Sequence, residues 1–358
     1  MAHIERKHFE VLDGLRGIAA LAVVIFHFME LIAPDSSRNF IGHGFLAVDF
    51  FFCLSGFVIA YAYDDRIGSL GLAEFFRSRL IRLHPLVVFG SVLGILGFFI
   101  QSLVGPPQPM DGLRITEIFL CSILLVPFPV MASRFYNNFS FNAPAWSLFW
   151  EYVANLFYAL FLHRIRRRYL MMLVLLAAAG VFWVIYKEGS LLGGWSGGTF
   201  WDGLARVSYS FLGGMFIYRS RWITENRLGF LPLATLLVLA FMVPFSVWNL
   251  LWESLIVLVY FPFLIGLGAG TEPAPRMQKL CVFSGKISYP LYMTHYWLIW
   301  IFGDYLNSHR PAGARLFLIV LGVLTFQIIL AYVVMVVFDI PVRRALSRRT
   351  RTGELRLD

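Results

Sequence analysis

The sequence predicts an all-α membrane protein of ten transmembrane helices, with both termini cytoplasmic and a re-entrant or interfacial segment at about 114–131. Three observations predict it. Of 358 residues, 59% are hydrophobic and only 14% charged, against about 25% charged in an ordinary soluble domain. Apolar runs of about 17–23 residues recur along the chain, the length a helix needs to cross a bilayer. The period-two alternation of a membrane barrel is absent, and backbone groups in lipid must be satisfied within their own segment, so the spans are expected to be helices.

The spans fall at 15–33, 45–62, 86–104, 144–162, 169–187, 200–218, 230–247, 252–269, 287–303 and 315–337. The first follows Arg6 and Lys7. It contains Arg16 and His27 and lacks a small-residue cleavage site after it, so it reads as a retained span rather than a signal peptide. Pro144 opens the fourth, where its missing N–H costs little. If 114–131 crossed, the basic His163–Arg168 loop would lie opposite the N-terminus. Left uncrossed, with Pro127 and Pro129 breaking it, the segment suits a re-entrant or surface position packed on protein. The outer loops then carry only Arg38, Arg114, Arg134, Lys187, Arg310 and Arg315, and nearly all other Lys and Arg lie on the cytoplasmic side. The largest outer loop, 105–143, is punctuated by Gly105-Pro106-Pro107 and Asn137-Asn138. One membrane domain, 1–342, is expected, followed by a basic cytoplasmic tail, 343–358.

The net charge of +9 is explained by this loop asymmetry, and no nucleic-acid partner is expected. Cys53, Cys121 and Cys281 sit in apolar contexts without ligand spacing, so neither a metal site nor a disulfide framework is expected. No internal repeat is visible, which disfavours inverted-repeat transporters.

Ionisable groups inside hydrocarbon are expensive and tend to mark function. Arg16 and His27 lie eleven residues apart on the first span, roughly 16 Å along a helix. His27 is a candidate general base, since an imidazole with its ordinary pKa is largely neutral at working pH; a transient acyl carrier is the other role. Asp49, followed by three phenylalanines, should face the bundle, either to cap a helix or pair with an arginine, or to orient a histidine or bind a sugar hydroxyl. Ser147 and Glu151 share a helical face at i, i+4. Arg79 and Arg82, in the loop after the second span, share a face suited to gripping a phosphate. Residues 288, 292 and 295 fall on one face, with His295 the rival to His27. Arg206, with Asp202 at i−4, reads as a buried ion pair or a substrate contact.

Taken together, these stretches resemble the acyltransferase 3 family, integral membrane enzymes that acylate extracytoplasmic glycans and some small molecules. Asp13-Gly14-Leu15-Arg16-Gly17 with His27 is similar to its first-span signature. Val48-Asp49-Phe50-Phe51-Phe52 through Ser55-Gly56-Phe57 is similar to its second-span motif. Arg79-x-x-Arg82-x-x-Pro85, Trp146-Ser147-Leu148 with Glu151, and Ser288-Tyr289 with His295 follow in the family's order. Ala47 stands where glycine is usual, and Asp339 precedes Pro341 where glutamate is usual.

The resemblance implies an integral, multi-pass enzyme of the bacterial inner (plasma) membrane that modifies cell-envelope polysaccharide by O-acetylation. It would move an acyl group from acetyl-coenzyme A, or another acyl-coenzyme A, to a glycan or small-molecule hydroxyl. Arg16, Arg79 and Arg82 would hold the donor's phosphates. His27, oriented by Glu151 or Asp49, would act on the acceptor. Trp146, Ser147, Ser288, Tyr289, His295 and Arg206 would line the acceptor side. The contrasting reading is a transporter or flippase for a glycan or lipid-linked intermediate, which intramembrane charge also suits.

Overall fold

The structure, a computed structural model, describes residues 7–104 and 110–354, without the side chains of 102–104 and 349–354. Arg6, the Gly105-Pro106-Pro107 punctuation and the end of the basic tail lie outside the described residues. Within them the regular structure is helical, and an isolated antiparallel bridge joins Asn137 to Ser196. The chain opens with α1 (Glu10–Ile32) and α2 (Ala47–Tyr63), then a single turn, α3 (Ile67–Leu70), and the long α4 (Leu72–Val104). There follow α5 (Gly112–Ile123), α6 (Ala145–Leu160), α7 (Arg167–Glu188), α8 (Phe200–Arg219) and α9 (Phe230–Phe241). The last third holds α10 (Asn249–Leu255), α11 (Phe261–Ala269), α12 (Pro275–Thr294), α13 (Tyr296–His309), α14 (Gly313–Val334) and α15 (Ile340–Glu354).

Among the described residues, six stretches are long and apolar enough to cross a bilayer: Glu10–Ile32, Gly44–Tyr63, Leu72–Gln101, Arg167–Glu188, Asn249–Ala269 and Gly313–Arg348. On α7 and α14, Leu175, Leu176, Trp183, Phe317 and Leu318 face outward and exposed, as helices bathed in lipid require. The chain is a multi-pass, all-helical membrane protein.

Several elements depart from the sequence reading for local reasons. Residues 114–131 form only α5 and then irregular chain; twelve residues reach about 18 Å, short of a ~30 Å hydrocarbon core. The apolar run at 230–247 stops being helical after Phe241, three residues before Pro244, which restricts the backbone of Val243. The span expected at 287–303 is divided at His295. There the side chains take the carbonyls: Thr294 Oγ1 donates to Pro290 O, His295 Nδ1 to Tyr292 O, and Gln327 Nε2 to His295 O. Arg79 and Arg82 lie on α4, not in a loop.

Two π-helical turns have a proline origin. Ile256–Tyr260 and Met335–Asp339 precede Pro262 and Pro341, which have no N–H for the carbonyls of Leu258 and Val337. The Leu258 carbonyl instead accepts from Tyr209 Oη at 2.5 Å.

At the centre, α1 lies against α12 and α2 against α8. The first pair depends on glycine. A Cβ at Gly17 would sit 1.7 Å from Ser284 Oγ and 2.8 Å from the Ser284 carbonyl oxygen, and one at Gly285 would sit 2.5 Å from Asp13 Cβ. Small residues let membrane helices approach this closely, and here the approach brings Arg16 onto α12.

Candidate active site

Two cavities meet inside the bundle. The first, about 290 Å³, is bordered by Arg16, Arg79, Arg82, Lys286 and Arg343, with Glu151 and Asp339 as its carboxylates. Arg16 is fixed by α12: its Nε donates to Ser288 Oγ at 3.0 Å and its Nη2 to the Gly285 carbonyl at 2.6 Å. Arg79 is buried and pairs with Glu151 at 2.8 Å, and Glu151 also accepts from Ser55 Oγ at 3.0 Å. Arg343 pairs with Asp339 at the end of the second π turn. Arg16 also pairs with Asp13 at 2.9 Å, and five cations against three carboxylates still leave a positive excess that suits a polyanion, which guanidinium groups grip bidentately.

The second cavity is larger, about 540 Å³, and is bordered by His27, Glu30, Arg134, Trp146, Trp195, Tyr296, Trp300 and Asp304, among others. Nδ1 of His27 lies 2.6 Å from Glu30 Oε2, one turn further along α1. A carboxylate only accepts, so Nδ1 carries a proton, and it is the neutral form of this ring that offers a lone pair at Nε2. The His27 ring stacks on His295, centroids 5.5 Å apart, and meets Tyr296 edge-on at 4.8 Å. Farther along the cavity wall, Gln101 donates to Asp304 at 2.5 Å and accepts from Arg134, while the Arg134 guanidinium lies 4.3 Å from the Trp300 ring centroid. Burial pushes the Arg134 pKa down to about 10, so it stays cationic at neutral pH. Aromatic faces beside amide and charged groups can bind a polar, ring-shaped ligand.

The geometry revises several expectations. Glu151 does not touch His27; it belongs to the basic cavity as the partner of Arg79. Asp49 is fully buried and pairs with Arg206, whose Nη2 is 2.6 Å from Oδ2. That arginine also donates to the carbonyls of Gly193 and Phe45 and lies over Trp146 at 5.1 Å, so it is tied to Asp49 rather than to Asp202. The partner of His27 is Glu30, and the signal for it was the i, i+3 spacing His27-x-x-Glu30. Ser147, Ser288 and Tyr289 border the basic cavity, whereas Trp146 and Arg206 border the histidine cavity. Tyr289 donates to the Leu83 carbonyl at 2.6 Å. His295 is wholly buried behind His27, and its Nε2 has no partner among the described residues. Lys286 and Arg343 join the cation set only through folding.

The acyltransferase 3 family model, described as an acyltransferase domain, matches residues 9–337. Protein 2 in the picA locus of Rhizobium radiobacter is 34% identical over 169 residues, covering 44% of this chain and 85% of that protein. Acyltransferase MdmB of Streptomyces mycarofaciens is 32% identical over 166 residues, 44% of this chain and 40% of the relative. A Staphylococcus aureus (strain COL) protein named as an O-acetyltransferase is 35% identical over 101 residues, 27% of this chain and 15% of its own length. No solved structure matches the chain.

Proposed function

Because the chain belongs to the acyltransferase 3 family, we propose that it is an O-acyltransferase that works across its membrane. It takes an acyl group, acetyl in the simplest case, from a cytoplasmic acyl-coenzyme A and delivers it to a hydroxyl of an extracytoplasmic carbohydrate. The observation that carries this reading is the pair of cavities, one basic and one holding His27 and Glu30, that share a wall. Ten crossings with both termini in the cytoplasm would turn the basic cavity inward and the histidine cavity outward, in keeping with the positive-inside distribution of Lys and Arg. The bacterial relatives support a plasma membrane.

In this reading Arg16, Arg79, Arg82, Lys286 and Arg343 hold the donor's phosphates. The pantetheine arm extends toward the shared wall. His27 Nε2 takes the proton of the acceptor hydroxyl as its oxygen adds to the thioester carbonyl carbon. Glu30 keeps Nδ1–H in place and stabilises the imidazolium. The C–S bond then breaks, and the sulfur leaves with the proton returned by His27. The apolar walls exclude water that would hydrolyse the thioester.

Two measurements on purified protein test the proposal. Coenzyme A should raise the unfolding temperature, because a ligand that binds only the folded state stabilises it. Mass spectrometry of envelope glycans should find an acyl mark with the wild-type protein and none with His27→Ala. A protein that transports some other solute would show neither effect.

A further inference from the structure

A thioester supplied from the basic cavity and a base facing the other cavity have to meet at the wall between them. Among the described residues, Val48 and Tyr292 border both cavities. Val48 offers methyl groups alone, so the polar group at the junction is the Tyr292 phenol. It lies 2.8 Å from Ser147 Oγ, and Ser147 donates its single proton to the Pro144 carbonyl at 3.0 Å. Ser147 therefore accepts, and Tyr292 donates.

The ring is braced as well. Phe51 meets it edge-on at 5.7 Å and His295 lies 5.9 Å away. The same His295 bonds the Tyr292 carbonyl at 2.8 Å and stacks on His27. The base and the phenol are thus linked through one buried imidazole, at the break between α12 and α13. A hydrogen-bond donor held beside the place where charge develops can lower an acyl-transfer barrier strongly.

We infer that Tyr292 is a catalytic residue that donates its O–H to the oxyanion of the tetrahedral intermediate, with Ser147 as its positioning residue. The inference rests on the acyl-transfer reading above. When the acceptor oxygen bonds to the carbonyl carbon, the carbonyl π electrons move onto oxygen, and Tyr292 exchanges its bond to Ser147 for one to that oxyanion. As the C=O bond re-forms, the C–S bond breaks and the thiolate takes the proton held by His27. Tyr292 remains a phenol throughout.

The test is Tyr292→Phe in the purified full-length protein, with acetyl-coenzyme A as donor and mixed envelope oligosaccharides as acceptor. The variant keeps the ring and its packing. Its kcat should fall by roughly 10²–10³-fold, the cost of one oxyanion donor, while thermal stabilisation by coenzyme A is retained. Ser147→Ala should lower kcat less, with the same unchanged response to coenzyme A, and it carries the test if Tyr292→Phe does not fold. An active wild type with a Tyr292→Phe or Ser147→Ala variant of equal kcat overturns the role alone, as does a loss confined to KM for acetyl-coenzyme A. A wild type that neither binds coenzyme A nor transfers acetyl groups overturns the activity and this role with it.

Discussion

His27 and Glu30 form a hydrogen-bonded pair on one face of α1, Nδ1 to Oε2 at 2.6 Å. The carboxylates with the stronger motif context, Asp49 and Glu151, are each occupied by an arginine, Arg206 and Arg79. Both of those carboxylates are therefore engaged across the bundle, and a third acidic residue, only partly buried, is left for the imidazole.

Replacing Glu30 tests that division. Glu30→Gln still offers an oxygen to Nδ1–H but removes the charge that stabilises the imidazolium. Its kcat should fall about 10²-fold, within the range of general-base contributions, with KM for acyl-coenzyme A unchanged in steady-state assays.

The Asp49–Arg206 pair should behave as scaffold. Both side chains are almost wholly buried, 0% and 1% exposed, so Arg206→Ala strands a carboxylate and should cost about 3–5 kcal/mol of stability. The double variant Asp49→Asn/Arg206→Met should recover much of the loss. Thermal unfolding in detergent reads both, and a single variant as stable as the wild type would refute the role.

In the basic cavity, Lys286→Ala and Arg343→Ala should each weaken coenzyme A binding. A charge-assisted hydrogen bond contributes about 1.5–3 kcal/mol, which is roughly a 10–150-fold rise in Kd. Titration of the unfolding temperature with coenzyme A measures it. Arg206→Ala should leave that titration unchanged wherever the protein is folded.

Gly17→Ala should act on both structure and binding. The added methyl meets Ser284 at 1.7 Å, so α1 and α12 have to separate, at roughly 1–3 kcal/mol for overpacking. Arg16 then loses its hold on Ser288 and Gly285, and the stabilising effect of coenzyme A should shrink with it.

How far the sequence could be read follows from the range of each interaction. The helical class, the Arg16–His27 span and the shared face of Arg79 and Arg82 are properties of local composition and spacing, and they were legible. The His27–Glu30 pair is equally local, but the family motifs fall on Asp49 and Glu151 and draw attention away from it. The partners of those two residues were hidden for a physical reason: Arg206 and Arg79 reach them across the bundle from α8 and α4. Lys286 and Arg343 looked like ordinary membrane-flanking charge until folding set them beside Arg16. The division at His295 depends on carbonyls captured by Thr294, His295 and Gln327, a competition that hydropathy does not record.

The most direct measurement is acyl transfer across a sealed bilayer. The protein is reconstituted in vesicles with acetyl-coenzyme A on the side of Arg79 and Arg343 and envelope oligosaccharides on the side of His27. The account predicts acetylated oligosaccharide on the far side and free coenzyme A on the near side, both abolished by His27→Ala. Transfer that occurs only when donor and acceptor share a compartment, or that persists in His27→Ala, would contradict it.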